Sequence, residues 1–107
     1  MPVYHKLVRD QIPEIIDGKG KTFHTCILNE SEYIGSLRDK LEEELNEYLT
    51  AESDKEALGE LADLLELIDA ASKTHGSSLK QVEKIRREKF EQRGGFDGRV
   101  FLVEAED

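Results

Sequence analysis

Apolar residues recur at spacings of three and four through Leu37, Leu41, Leu45, Tyr48 and Leu49, the period of one face of an α-helix. Asn29 followed by Glu32 is a capping signal that places the start of this helix. Ser53-Asp54-Lys55-Glu56 reads as a capping box for a second helix, with Ser53 as N-cap and Glu56 reaching back to it. Its apolar set, Ala57, Leu58, Leu61, Ala62, Leu64, Leu65, Leu67 and Ile68, covers more than one stripe, which predicts a central helix buried on several sides. Gly76 closes it. Ser78 with Gln81 opens a further helix through Val82, Ile85, Lys89 and Phe90, stopped at Arg93-Gly94-Gly95. Upstream, Asp10 to Asp17 suits a short helix with Asp10 as N-cap, Pro13 in the first turn and Ile12, Ile15 and Ile16 as its apolar side, ended by Gly18 and Gly20.

Two segments read differently. Residues 22–28 are β-branched and apolar and too short for a good helix, so they predict a strand, and residues 99–103 are the candidate partner. The expected fold is mainly α, a helical bundle with a minor two-stranded β element from residues 22–28 and 99–103. No linker, repeat or low-complexity stretch divides residues 1–107, which are read as a single domain.

Composition narrows the function. With 107 residues a single core is adequate but thin, and a partner subunit that completes it is expected, as a homodimer or homotetramer. A formal net charge of -9 argues against a nucleic-acid polymer as partner, which calls for a basic footprint. No apolar run approaches the roughly 20 residues that span a bilayer. The single Cys26 has no internal partner, and the start of the sequence does not resemble a signal peptide, so a cytoplasmic location is expected.

The candidate chemistry lies in two acidic pairs. Glu44 and Glu47 are three residues apart, as are Glu60 and Asp63, so each pair shares a helix face. In an antiparallel hairpin, facing residues have position numbers of constant sum, and that sum is 107 for both Glu47 with Glu60 and Glu44 with Asp63. The turn centre this implies lies between Ser53 and Asp54, where the capping signal falls independently. Four converging carboxylates repel one another and raise the pKa of at least one member unless a cation compensates. All-oxygen ligation favours Mg²⁺, with Mn²⁺ as a substitute, and Mg²⁺ commonly bridges carboxylates to substrate phosphates. The same residues, with Glu42 and Glu43, also read as a solvated helix face, and spacing alone does not choose between the two. Asp63 weighs toward a site, because it interrupts the apolar run from Leu58 to Ile68, where an unpaired carboxylate is costly.

Cations gather near both ends of the sequence, at Lys6 and Arg9 and at Lys84, Arg86, Arg87, Lys89, Arg93 and Arg99. Helix-end electrostatics accounts for many of them. Some of them are expected to hold phosphate oxygens, with Arg the better bidentate partner; spacing does not choose among them, and Lys6, Arg9, Lys89 and Arg93 form the candidate set. Gly94-Gly95 with Gly98 matches no nucleotide-binding loop and reads as a helix stop and turn. His5, His24 and His75 show no mutual ligand spacing, and Cys26 reads as a small buried apolar residue.

Glu43-Glu44-Leu45-Asn46-Glu47 followed by Glu60-Leu61-Ala62-Asp63-Leu64-Leu65 resembles the signature of the all-α nucleoside triphosphate pyrophosphohydrolases, the MazG-like superfamily. Lys6-Leu7-Val8-Arg9-Asp10-Gln11-Ile12-Pro13 and Glu91-Gln92-Arg93-Gly94-Gly95-Phe96 resemble the two ends of a small phosphoribosyl-ATP pyrophosphohydrolase-like, house-cleaning subgroup. The resemblance implies Mg²⁺-dependent hydrolysis of a nucleoside triphosphate substrate to monophosphate and pyrophosphate. It puts Glu44, Glu47, Glu60 and Asp63 at metal-ligand positions and Glu43 and Glu44 in the catalytic set, Glu43 as auxiliary ligand or base. It also implies association through the central helices. Phosphoribosyl-ATP hydrolysis in histidine synthesis is the alternative enzymatic expectation, and a helical interaction module with an acidic docking face the non-enzymatic one.

Overall fold

The computed structural model describes residues 2–107. Four helices follow in order: α1 (Ile12–Gly18), α2 (Glu30–Leu49), α3 (Asp54–Thr74) and α4 (Leu79–Arg93). The protein is a mainly α, four-helix structure, and no strand forms among the described residues.

The start of each long helix is fixed by a side-chain cap. At α2 the Asn29 Oδ1 accepts from the Glu32 N–H at 2.9 Å while the Glu32 carboxylate accepts from the Asn29 N–H at 3.2 Å, a complete capping box. Ser53 Oγ accepts from the Glu56 N–H at 3.1 Å, but the reciprocal arm lands one residue early, on the Glu52 N–H. Ser78 Oγ caps α4 through the Gln81 N–H. α1 begins later than its pattern predicts, at Ile12 behind Gln11, with no side-chain cap. Asp10 does not serve as N-cap. Gly76 and Gly94 take positive φ past the ends of α3 and α4, a conformation glycine adopts without steric cost.

α2 and α3 pack as an antiparallel hairpin closed by Thr50–Ser53. This hairpin is the framework of the molecule. Its seam is thin: Leu37, at 3% exposure, is the one buried apolar side chain among the described residues. α4 meets α3 far less extensively, and every residue from Lys80 to Arg93 is exposed. The expectation that α3 lies buried on several sides therefore fails within one chain. Because α4 diverges after the turn at Ser72–Ser78, Leu58, Leu61, Leu65 and Ile68 remain an uncovered stripe.

The predicted strand pair also fails. Residues 22–28 run without ladder pairing, with Ile27 at 98% exposure, and residues 99–103 form no strand either: Arg99 takes a positive φ and Val100 to Val103 are exposed. β-branched composition makes a segment able to pair but supplies no neighbour, and an isolated two-stranded ribbon is at best marginal in water. The result is an open molecule of 60 × 36 × 24 Å. Its radius of gyration of 18.2 Å exceeds the roughly 13 Å expected of a compact domain this long.

Candidate metal centre

The hairpin brings the four predicted carboxylates into one cluster, organised around Glu44. One carboxylate oxygen from each of Glu44, Glu60 and Asp63 lies within 4.8 Å of the others, and a second group of the same tightness joins Glu43, Glu44 and Glu47. Glu44 belongs to both. The symmetrical four-way convergence expected from the constant sum is thus resolved into two triads sharing one residue. Glu47 stands on the exposed side of α2, while Glu60 and Asp63 are half-buried on α3.

Glu44 is 7% exposed, an unusual place for a carboxylate. Burial pushes its pKa from 4.5 up to about 7, helped by hydrogen bonding with Glu60 and Glu47 and by repulsion from Glu47 and Asp63. A shared proton relieves the cluster at low pH. When every member is ionised, Glu44 Oε2 and Glu60 Oε2 are buried acceptors with no donor. The arrangement is short of positive charge at its centre.

Three cations occupy its rim. Lys40 Nζ lies 3.4 Å from Glu43 and 3.8 Å from Glu44, one helical turn before them on α2. Lys6 reaches Glu43 at 3.9 Å, and Arg9 Nη2 donates to Asp63 Oδ1 at 2.7 Å, with Nη1 3.9 Å from Glu66. The segment ahead of α1 is thereby tied to the hairpin through its charges. Lys6 and Arg9 are among the cations expected from the sequence; Lys40 is an addition, signalled there only by its spacing of three and four from Glu43 and Glu44.

Lys89 and Arg93 are not brought to the cluster. Both lie on the exposed length of α4, and neither makes an ion pair among the described residues. Cys26 is exposed, not buried. Gly94 and Gly95 stop α4, where a Cβ at Gly95 would come within 3.0 Å of the Phe90 ring, so this glycine serves close packing at the helix end.

Hard divalent cations take three or more oxygen ligands, and the Glu44–Glu60–Asp63 triad offers them with two donor-less oxygens at its centre. The residues present fit such an ion. No helix of the described residues is long and apolar enough to cross a membrane. Comparison of the chain with known protein families, with curated proteins and with solved structures finds no match.

Proposed function

We propose that this protein hydrolyses nucleoside triphosphates to monophosphate and pyrophosphate with Mg²⁺, or Mn²⁺ in its place, bound by Glu44, Glu47, Glu60 and Asp63. The observation that supports this reading above all is the pair of buried, donor-less oxygens on Glu44 and Glu60, which a cation would satisfy. A bound divalent ion supplies Lewis acidity at phosphoryl oxygens and lowers the pKa of coordinated water. In this reading Glu43 orients the attacking water and accepts its proton, which its partial exposure beside Glu44 and its ion pairs with Lys40 and Lys6 support. Lys6 and Arg9 sit on the rim where a phosphate chain would approach, and their cationic heads offset charge on the departing pyrophosphate. Hydrolysis by such a set needs no covalent intermediate.

The substrates proposed are non-canonical or surplus triphosphates, a house-cleaning role, with phosphoribosyl-ATP as the rival substrate. Self-association through α3 belongs to the same proposal, supported by the uncovered stripe of Leu58, Leu61, Leu65 and Ile68. The decisive experiment incubates the purified chain with a triphosphate panel including phosphoribosyl-ATP, in Mg²⁺ and in EDTA, and identifies the released phosphate species. Mg²⁺-dependent release of pyrophosphate without orthophosphate is expected. Absence of any turnover across the panel, or turnover unaffected by EDTA, would remove the proposal.

A further inference from the structure

Solvent-exposed area in this protein is far above what its size warrants. A folded monomer of 12.2 kDa is expected to expose roughly 6,100 Å², whereas this chain exposes 9885 Å². The excess is several times the roughly 800 Å² that each partner contributes to a standard interface. A flat contact between two α3 stripes would leave most of it in water. A wrapping interface, in which an extended part of one chain lies along another, removes area on this scale.

Two exposed apolar surfaces matter here. One is the hairpin stripe already described. The other is the segment after α4, where Phe96, Val100, Phe101, Leu102 and Val103 are all at least 76% exposed. α4 carries this segment away from its own hairpin, since it leaves α3 at the turn and stays exposed along its whole length after Leu79. The dimensions of the two surfaces agree. From Leu58 to Ile68 the stripe runs about 15 Å along the helix axis, and the four apolar residues Val100–Val103, which follow the turn at Phe96–Arg99, span up to about 14 Å when extended, close to that length.

We propose that residues 96–103 of one copy seat on the apolar face of the α2–α3 hairpin of a second copy, giving an arm-exchanged homodimer. The proposal rests on the self-association put forward above and goes beyond it by naming the exchanged element. With a net charge of -9 on each chain, two copies repel at long range, so the attraction comes from apolar burial. Raising the salt concentration therefore tightens the dimer.

The test uses the full chain in a Cys26→Ser background, in two versions of different tag length, one carrying Phe101→Cys and the other Leu61→Cys. After mixing under conditions that allow subunit exchange and oxidising, a disulfide-linked heterodimer is expected on a non-reducing gel. A chain carrying both cysteines that closes only within itself would show that the arm folds back on its own hairpin and would overturn the exchange. Light scattering supplies the second readout. Wild type is expected as a dimer, and Val100→Asp with Phe101→Asp is expected to weaken association by about 100-fold or more, with the helical circular dichroism kept. If that variant stays dimeric while Leu61→Asp with Leu65→Asp dissociates, self-association stands and the exchanged arm does not. A wild-type chain that is monomeric at tens of micromolar removes both. None of these readouts uses nucleotide or metal, so loss of the hydrolase reading would leave them unaffected.

Discussion

Arg9 and Asp63, 54 residues apart in sequence, are joined by a guanidinium–carboxylate hydrogen bond of 2.7 Å. Both side chains keep substantial exposure, so the bond contributes little to stability, about 0–1 kcal/mol. Its consequence is positional. It holds a cation beside the carboxylate cluster and occupies one oxygen of a proposed metal ligand. Arg9→Ala is expected to leave thermal unfolding nearly unchanged while lowering kcat/KM for a triphosphate about 10- to 100-fold, the range for losing a charged hydrogen bond. Equal rates for Arg9→Ala and wild type would show that Arg9 serves only to anchor the segment before α1.

Glu44 predicts an unusual dependence of stability on pH. Its carboxyl titrates at about 7 in the fold against 4.5 as the ordinary value, so between these limits the folded state holds a proton that the unfolded chain has released. Stability from this group is fully present below pH 4.5, is lost as pH rises toward 7, and then levels off. The loss amounts to at most about 3 kcal/mol. Urea unfolding in EDTA at pH 5, 6, 7 and 8 should show the decline, and Glu44→Gln should flatten it. A wild-type profile with no decline over this interval would contradict the placement of Glu44.

Mg²⁺ should reverse that loss. At 100 times its dissociation constant a ligand specific to the folded state stabilises by about 2.7 kcal/mol, which for a domain this size moves Tm by roughly 10 °C or more. The expected result at pH 8 is a rise in Tm with Mg²⁺ and a nucleotide analogue that is abolished in Glu60→Gln. Glu47→Gln should retain the helical spectrum yet lose turnover. Retention of the wild-type rate by Glu47→Gln under Mg²⁺ would exclude Glu47 as a ligand.

Ser53 tests the scaffold independently of the chemistry. Its hydroxyl accepts from the Glu56 N–H at the start of α3, and Ser53→Ala should cost about 1 kcal/mol. Thermal unfolding reads this directly. The Glu56 carboxylate contacts the Glu52 N–H and not that of Ser53, so Glu56→Ala is expected to cost less than Ser53→Ala.

Local signals in the sequence located the helices closely because caps act through residues three or four positions away. Asn29, Ser53 and Ser78 are N-caps as their spacing predicts. The constant-sum register brought Glu44 close to Glu60 and Asp63 for the same reason, since both helices start and stop at readable places. It erred in detail: Glu44 meets Glu60 and Asp63, while Glu47 is exposed and grouped with Glu43 and Glu44, because helix phase and side-chain reach decide contacts that axial height does not. What depended on distant partners was not legible. Residues 22–28 have strand chemistry without a neighbour, and the stripe on α3 has core chemistry without a cover. Lys89 and Arg93 have phosphate-binding chemistry but lie on a helix that leaves the cluster. The turn from Ser72 to Ser78 sets that departure, and no residue spacing announces its angle.

The seam between α2 and α3 holds one buried apolar residue, Leu37, toward the start of α2, while the acidic cluster sits a little further along. Toward the Thr50–Ser53 bend the apolar side chains, Leu41, Ala57 and Leu64 among them, are at best half-buried, so the charge of the cluster weighs more heavily there. An ion bridging Glu44 to Glu60 and Asp63 would act as a clasp on that half. Amide protons of Leu41 to Tyr48 and of Ala57 to Leu64 would exchange with solvent quickly in a chelator and slowly once the clasp is shut.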